Sequence, residues 1–139
     1  MRFFSISLLA LCCAGCVTTP VEKGNEQDNC PVIESKNWHG WIEPKRAGQE
    51  SFTLNISGKV DLPTPAYEVS LVAGPMDRKM PPGQRFNLQI EPSSGISTQV
   101  ITTFSVRYRE PTTYPRYSPI TIVCGGRELA SITDVMVTE

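Results

Sequence analysis

From residue 51 onward, apolar and polar positions alternate with a period of two. Phe52, Leu54 and Ile56 are interleaved with Thr53, Asn55 and Ser57, which predicts a strand with one wet face, continued by Val60 after a bend at Gly58. Leu62-Pro63-Thr64-Pro65 reads as a turn or an edge. Tyr67, Val69 and Leu71 make a second alternation, ended by Gly74-Pro75, and Phe86, Leu88 and Ile90 make a third, ended by Glu91-Pro92-Ser93-Ser94-Gly95. Val100, Thr102, Phe104, Val106 and Tyr108 form the longest candidate, which should lie at or near the centre of a sheet.

Near the end, Ile120 to Cys124, then Gly125-Gly126, then Arg127 to Thr133 predicts a hairpin. Its two-residue turn needs positive φ at both positions, which glycine adopts without steric cost. Pairing outward from that turn sets Cys124 opposite Arg127 and Ile122 opposite Leu129, and places Cys124 at a rim. The last strand runs on toward Val135 and Val137. Six or seven short strands and no amphipathic helix of useful length predict an all-β domain, an antiparallel β-sandwich of immunoglobulin-like size. A small closed β-barrel buries one face of each strand equally well and is the alternative. No internal repeat is visible.

The front of the chain follows a different pattern. Arg2 precedes an apolar run from Phe3 to Leu11, and small residues follow at Ala14 and Gly15, the three-part form of an export signal. The run is too short to cross about 30 Å of hydrocarbon as a helix. Ala14-Gly15-Cys16 resembles a lipobox, the site at which bacterial lipoprotein precursors are cut and acylated. That resemblance implies a lipid on Cys16, acyl chains holding the domain at a membrane, and, from Val17 in place of Asp, the outer membrane with the domain facing the periplasm. Cys13 stands where lipoproteins usually carry Leu, so a plain cut after Ala14 or Gly15 that leaves Cys16 unmodified is the alternative. The expected organisation is a removed signal at 1–15, a lipidated Cys and polar tether at 16–29, and a folded domain at 30–139. The tether spans at most about 40 Å.

Composition agrees with strands. The 139-residue chain carries 12 prolines and 10 glycines. Without residues 1–15 and the Arg2 among them, 12 Lys and Arg stand against 14 Asp and Glu, a balance that gives no case for nucleic acid or a polybasic lipid-binding surface. Of five cysteines, Cys12 and Cys13 leave with the signal and Cys16 takes the lipid, so Cys30 and Cys124 are expected to form a disulfide in an oxidising compartment. Closing a loop of about 95 residues is worth about 4–5 kcal/mol at most. Two free buried thiols are the alternative.

Cys30-Pro31-Val32-Ile33 with Trp38 and Trp41, Gly58-Lys59-Val60-Asp61-Leu62-Pro63-Thr64 with Tyr67, Pro81-Pro82 and Cys124-Gly125-Gly126 resemble a group of small exported or lipid-anchored envelope lipoproteins of Gram-negative bacteria that have no assigned function. The resemblance implies membership and cell-envelope localisation, and carries over no functional residue.

Chemistry is scarce. His39 is the only histidine, no Ser sits in a nucleophile-elbow pattern, acids are scattered singly, and neither a metal-ligand set nor a phosphate loop is present. No catalysis, cofactor or metal is expected. Binding has two candidate segments. Arg107, Arg109, Tyr114, Arg116 and Tyr117 cluster around a proline-rich loop, and Arg and Tyr are favoured at interface hot spots. Trp38 and Trp41, flanking His39 and Gly40, can stack a sugar, or one of them can plug the core. Met76 to Pro82 reads as a mobile polar loop. The expected function is a non-catalytic envelope module that binds a protein partner. An inhibitor presenting a stiff Tyr114–Tyr117 loop to a lysozyme or protease, and a glycan-binding module, are the alternatives.

Overall fold

The computed structural model describes residues 29–139; the expected export signal, the expected lipidation site Cys16 and the expected tether up to residue 28 lie outside the described residues. Nine strands follow in chain order: β1 (Glu34–Glu43), β2 (Phe52–Leu62), β3 (Tyr67–Met76), β4 (Gln84–Pro92), β5 (Thr102–Thr112), β6 (Arg116–Tyr117), β7 (Ile120–Cys124), β8 (Arg127–Ile132) and β9 (Val135–Met136). They build an all-β sandwich and not a closed barrel. One sheet has the order β1-β2-β5, the other β3-β4-β7-β8, and β6 pairs with β9 in a short ladder. Pairing is antiparallel except between β4 and β7, which run parallel because the chain visits the first sheet through β5 before returning. An isolated parallel bridge joins Ile42 to Val137.

The core follows from the alternation. Leu54, Ile56, Val60 and Leu62 of β2 point inward with Ile42 of β1 and Val106 of β5, and meet Phe86, Leu88, Ile120 and Ile122 from the facing sheet. Phe86 lies edge-on to Tyr108, with ring centroids 4.8 Å apart, an arrangement that suits the ring quadrupoles. Burying these side chains is the main term that offsets the chain entropy lost on folding.

Three features of the β1-β2-β5 sheet add to or correct the sequence reading. The segment between Cys30 and Pro44 is an ordered strand, β1, hidden in the sequence because its alternation is broken. Lys36 faces Lys59 and His39 faces Ser57, so β1 carries one extra residue in between, and Asn37 there takes a φ of 57°, a left-handed conformation that Asn tolerates better than most residues. The extra residue moves Trp38 to the core face. Secondly, β5 is an edge strand, and β2 is the centre of its sheet. Thirdly, Gly58 makes no bend. It lies within continuous β2, its missing side chain leaving room for Trp38, whose ring atoms Cδ2 and Cε3 sit 2.3 Å from where a Cβ would be.

The final hairpin turns at Gly125 and Gly126, with φ of 53° and 83°, and Cys124 pairs with Arg127. A register shift between Ile122 and Val123 then sets Ile122 opposite Ala130 in place of Leu129. The Cys30–Cys124 disulfide is formed, with Cα atoms 5.4 Å apart. Beside it the Arg127 guanidinium donates to the Val32 carbonyl at 2.8 Å, which holds the entry to β1 against the hairpin.

Candidate functional site

The outward face of the β1-β2-β5 sheet is built in rungs. Trp41, Asn55 and Arg109 lie side by side across the three strands, and His39, Ser57 and Arg107 form the neighbouring rung. Period-two alternation dictates this placement: with Gly40 and Ile42 turned inward, His39 and Trp41 must point out. Gly40 is part of the same device, since a Cβ there would press on Val135 at 3.3 Å.

The two aromatic rings of this face stack. The His39 and Trp41 ring centroids are 5.3 Å apart and the planes 14° from parallel. Beside them the Arg109 guanidinium donates to Glu43 Oε2 at 2.9 Å, and this exposed pair adds little stability but sets the side chain's direction. Arg107 has no acidic partner among the described residues. Together Trp41, Glu43, Asn55, Ser57, Arg107 and Arg109 border a depression of about 310 Å³. It offers a flat aromatic surface, one uncommitted cation, a second cation shared with a carboxylate, and short polar side chains.

Further along the same face the Lys36 ammonium, 2.7 Å from Asp61 Oδ2, and the Thr103 hydroxyl both donate to the Asp61 carboxylate. Lys36 first and Thr103 second hold the carboxyl of Asp61 below its ordinary value, and Asp61 and Glu34 in turn raise the pKa of Lys36. This cluster is internally satisfied and closes the end of the face.

The residues singled out from the sequence are thus divided. Arg107 and Arg109 join Trp41, so two of the five residues of the Arg/Tyr candidate and one of the two tryptophans converge on one surface. Trp38 is elsewhere. It packs on the core over Gly58 and donates from Nε1 to Ser35 Oγ at 2.6 Å, so the two tryptophans lie on opposite faces of β1 and cannot grip one ligand. Tyr114, Arg116 and Tyr117 are not on this face: they follow the end of the sheet where Thr112 faces Phe52, and the two tyrosines turn to the core side. Tyr117 is buried, with its hydroxyl 2.6 Å from Thr112 Oγ1, and burial pushes its pKa up. Tyr114 packs edge-on to Tyr117 at 5.8 Å, and Arg116 is paired with Asp134. The loop is folded back on the sandwich, which removes the stiff, protruding element that the inhibitor reading needs.

Those tyrosines, with Phe86, Met76 and Tyr108, line a cleft of about 350 Å³ between the ends of the two sheets. No charged side chain lines it, and burial raises the pKa of Tyr108. What the sequence did not disclose is the rung-by-rung meeting of His39 and Trp41 with Asn55, Ser57, Arg107 and Arg109. The 107, 109 spacing announces a shared face, but only the β1 bulge and the β1-β2-β5 order bring the aromatic pair to it.

Comparison with protein-family models, with curated proteins and with solved structures gives no match.

Proposed function

We propose that the chain is a non-catalytic, lipid-anchored binding module of the cell envelope, acylated on Cys16 at the outer membrane and facing the periplasm, with membership of the small envelope lipoproteins it resembles. Residues 1–15 are the removed signal, 16–29 carry the lipid and tether, and 30–139 bind. The observation that supports this reading is the convergence of Trp41, His39, Arg107 and Arg109 on one face of a disulfide-held sheet. A rigid sheet presents such side chains at little ordering cost, and a desolvated aromatic beside Arg is the composition of an interface hot spot. The partner that fits is an envelope protein carrying a carboxylate for Arg107 and an apolar side chain for Trp41.

A second reading draws on the stacked His39–Trp41 pair. The apolar face of a sugar ring can lie on the indole while its hydroxyls meet Asn55, Ser57 and the arginines, which makes a glycan the alternative ligand.

The test is crosslinking in intact envelopes with three chains: the native one, Trp41→Ala/Arg107→Ala/Arg109→Ala, and Tyr114→Ala/Arg116→Ala. A partner lost only from the first variant supports the proposed face. Loss from the second alone moves the site to the Tyr114–Tyr117 cleft, and equal capture by all three contradicts a binding role for either.

A further inference from the structure

The connections at the two ends of the sandwich differ in character. At one end the β1–β2 and β3–β4 connections carry Lys45, Arg46, Glu50, Asp77, Arg78 and Lys79. At the other, the β4–β5 connection lies in a run from Pro92 to Val106 without a single charged residue. Within that run Ile96, Val100 and Ile101 are turned to solvent, with 107%, 58% and 63% of their surface exposed. None of them serves the core.

The loop is nevertheless held in shape. Ser93 donates its N–H to the Ala66 carbonyl at 3.0 Å, Ser97 Oγ donates to Thr64 Oγ1 at 2.9 Å, and Thr102 Oγ1 donates to the Val100 carbonyl at 2.9 Å. A tip fixed to the neighbouring β2–β3 connection and tipped with aliphatic side chains is the form of an inserted anchor. Three exposed aliphatic side chains gathered on one loop are more than the single scattered ones an ordinary surface carries and suit a contact surface.

What covers it follows from where the chain enters. β5 begins at Thr102, opposite Leu62, and β1 begins at Glu34, opposite Asp61, so all three lie at one end of their sheet. In the facing sheet β4 leads into the loop parallel to β7, which ends at Cys124 and its bond to Cys30. The segment that precedes Asn29 therefore joins the domain at the end that carries the loop. Cys16 lies thirteen residues before Asn29, a reach of about 40 Å.

On the reading that Cys16 is acylated, we infer that the Ser93–Ile101 loop seats in the lipid surface that holds the acyl chains. The sandwich then stands with this end down, the end with the charged connections away from the bilayer and the Trp41–Arg107 face directed sideways. Without Lys or Arg in the run, the contact is apolar insertion and needs no anionic lipid. Interfacial elements of this kind bury their apolar side chains about 5–10 Å into the headgroup and acyl boundary.

Two full-length variants test it, Ile96→Trp in the loop and Met80→Trp at the opposite end, where Met80 is 80% exposed. Neither position is packed, so both chains fold. Each is reconstituted in vesicles of phosphatidylethanolamine and phosphatidylglycerol with brominated acyl chains, which quench tryptophan on contact, and read against the native chain with its own two tryptophans. The expected result is a blue shift and loss of the added emission for Ile96→Trp and neither for Met80→Trp. An acylated, vesicle-bound chain in which the two are quenched alike, including one whose loop is covered by another protein or a second copy, overturns the loop's role. Acylation is read separately, from the mass of the mature chain and its recovery with membranes. A mature chain without the lipid overturns the anchored reading and the orientation that rests on it.

Discussion

Gly58→Ala tests the way Trp38 is accommodated. The new Cβ would lie 2.3 Å from Cδ2 and Cε3 of the Trp38 ring and 2.7 Å from Cε2, where carbon atoms in favourable contact stand about 3.5–4.0 Å apart. The ring must retreat by more than about 1 Å, and it is held by its core contacts and by the 2.6 Å bond from Nε1 to Ser35 Oγ. Overpacking of this kind costs about 1–3 kcal/mol, and loss of the hydrogen bond adds about 1 kcal/mol. Replacing a strand glycine by alanine returns about 0.5–1 kcal/mol. The net expectation is a destabilisation of about 1–3 kcal/mol, read as a lower midpoint in urea unfolding with the disulfide intact. Gly58 is not among the positive-φ residues, so the cost should vanish once the ring is gone. In a Trp38→Ala background the same substitution should be neutral or stabilising. An equal cost in both backgrounds would mean that Gly58 serves the backbone, and no cost in the native chain would mean that Trp38 does not lie on it.

The remaining predictions concern the frame around the face. Reducing Cys30–Cys124, separated by 94 positions, should cost up to about 4–5 kcal/mol, visible as a lower urea midpoint in the presence of reductant. Gly125→Ala, at a φ of +53° and with its Cβ 3.1 Å from the Cys30 nitrogen, should lower stability by about 1–2 kcal/mol, read from thermal unfolding. The folded-state pKa of Asp61 is depressed, so its contribution is fully present above its unfolded pKa and is lost as pH falls through the folded one. Acid titration of stability should accordingly show a fall below about pH 4 that is smaller in Asp61→Asn. Identical acid profiles would remove the Lys36–Asp61–Thr103 cluster from the account.

The sequence disclosed the parts of the fold that depend on local rules. Alternation at Phe52, Leu54 and Ile56 and at Phe86, Leu88 and Ile90 located β2 and β4, and Gly125-Gly126 located the hairpin, because a strand's two faces and a positive-φ turn leave direct marks on residue choice. β1 was illegible, since its bulge at Asn37 breaks the alternation that would have revealed it. The parallel β4–β7 pair and the edge position of β5 were illegible for another reason: sheet order is decided by long-range packing, to which strands of similar pattern are indifferent. The site inherits both failures. Arg107 and Arg109 could be assigned to one face of one strand, whereas their meeting with Trp41 depends on the bulge and on β2 lying between β1 and β5. Tyr117 could not be told from Tyr114 in the sequence, because the two tyrosines of one loop look alike until one of them is buried.

The central claim, that the outward face of β1-β2-β5 is a binding surface, is tested most directly by hydroxyl-radical footprinting of the native chain in intact envelopes against the purified protein. His39 and Trp41 should be oxidised less in the envelope, while Met80 and Met136, 80% and 49% exposed, should be oxidised equally in both. Equal oxidation of His39 and Trp41 in the two preparations would contradict it.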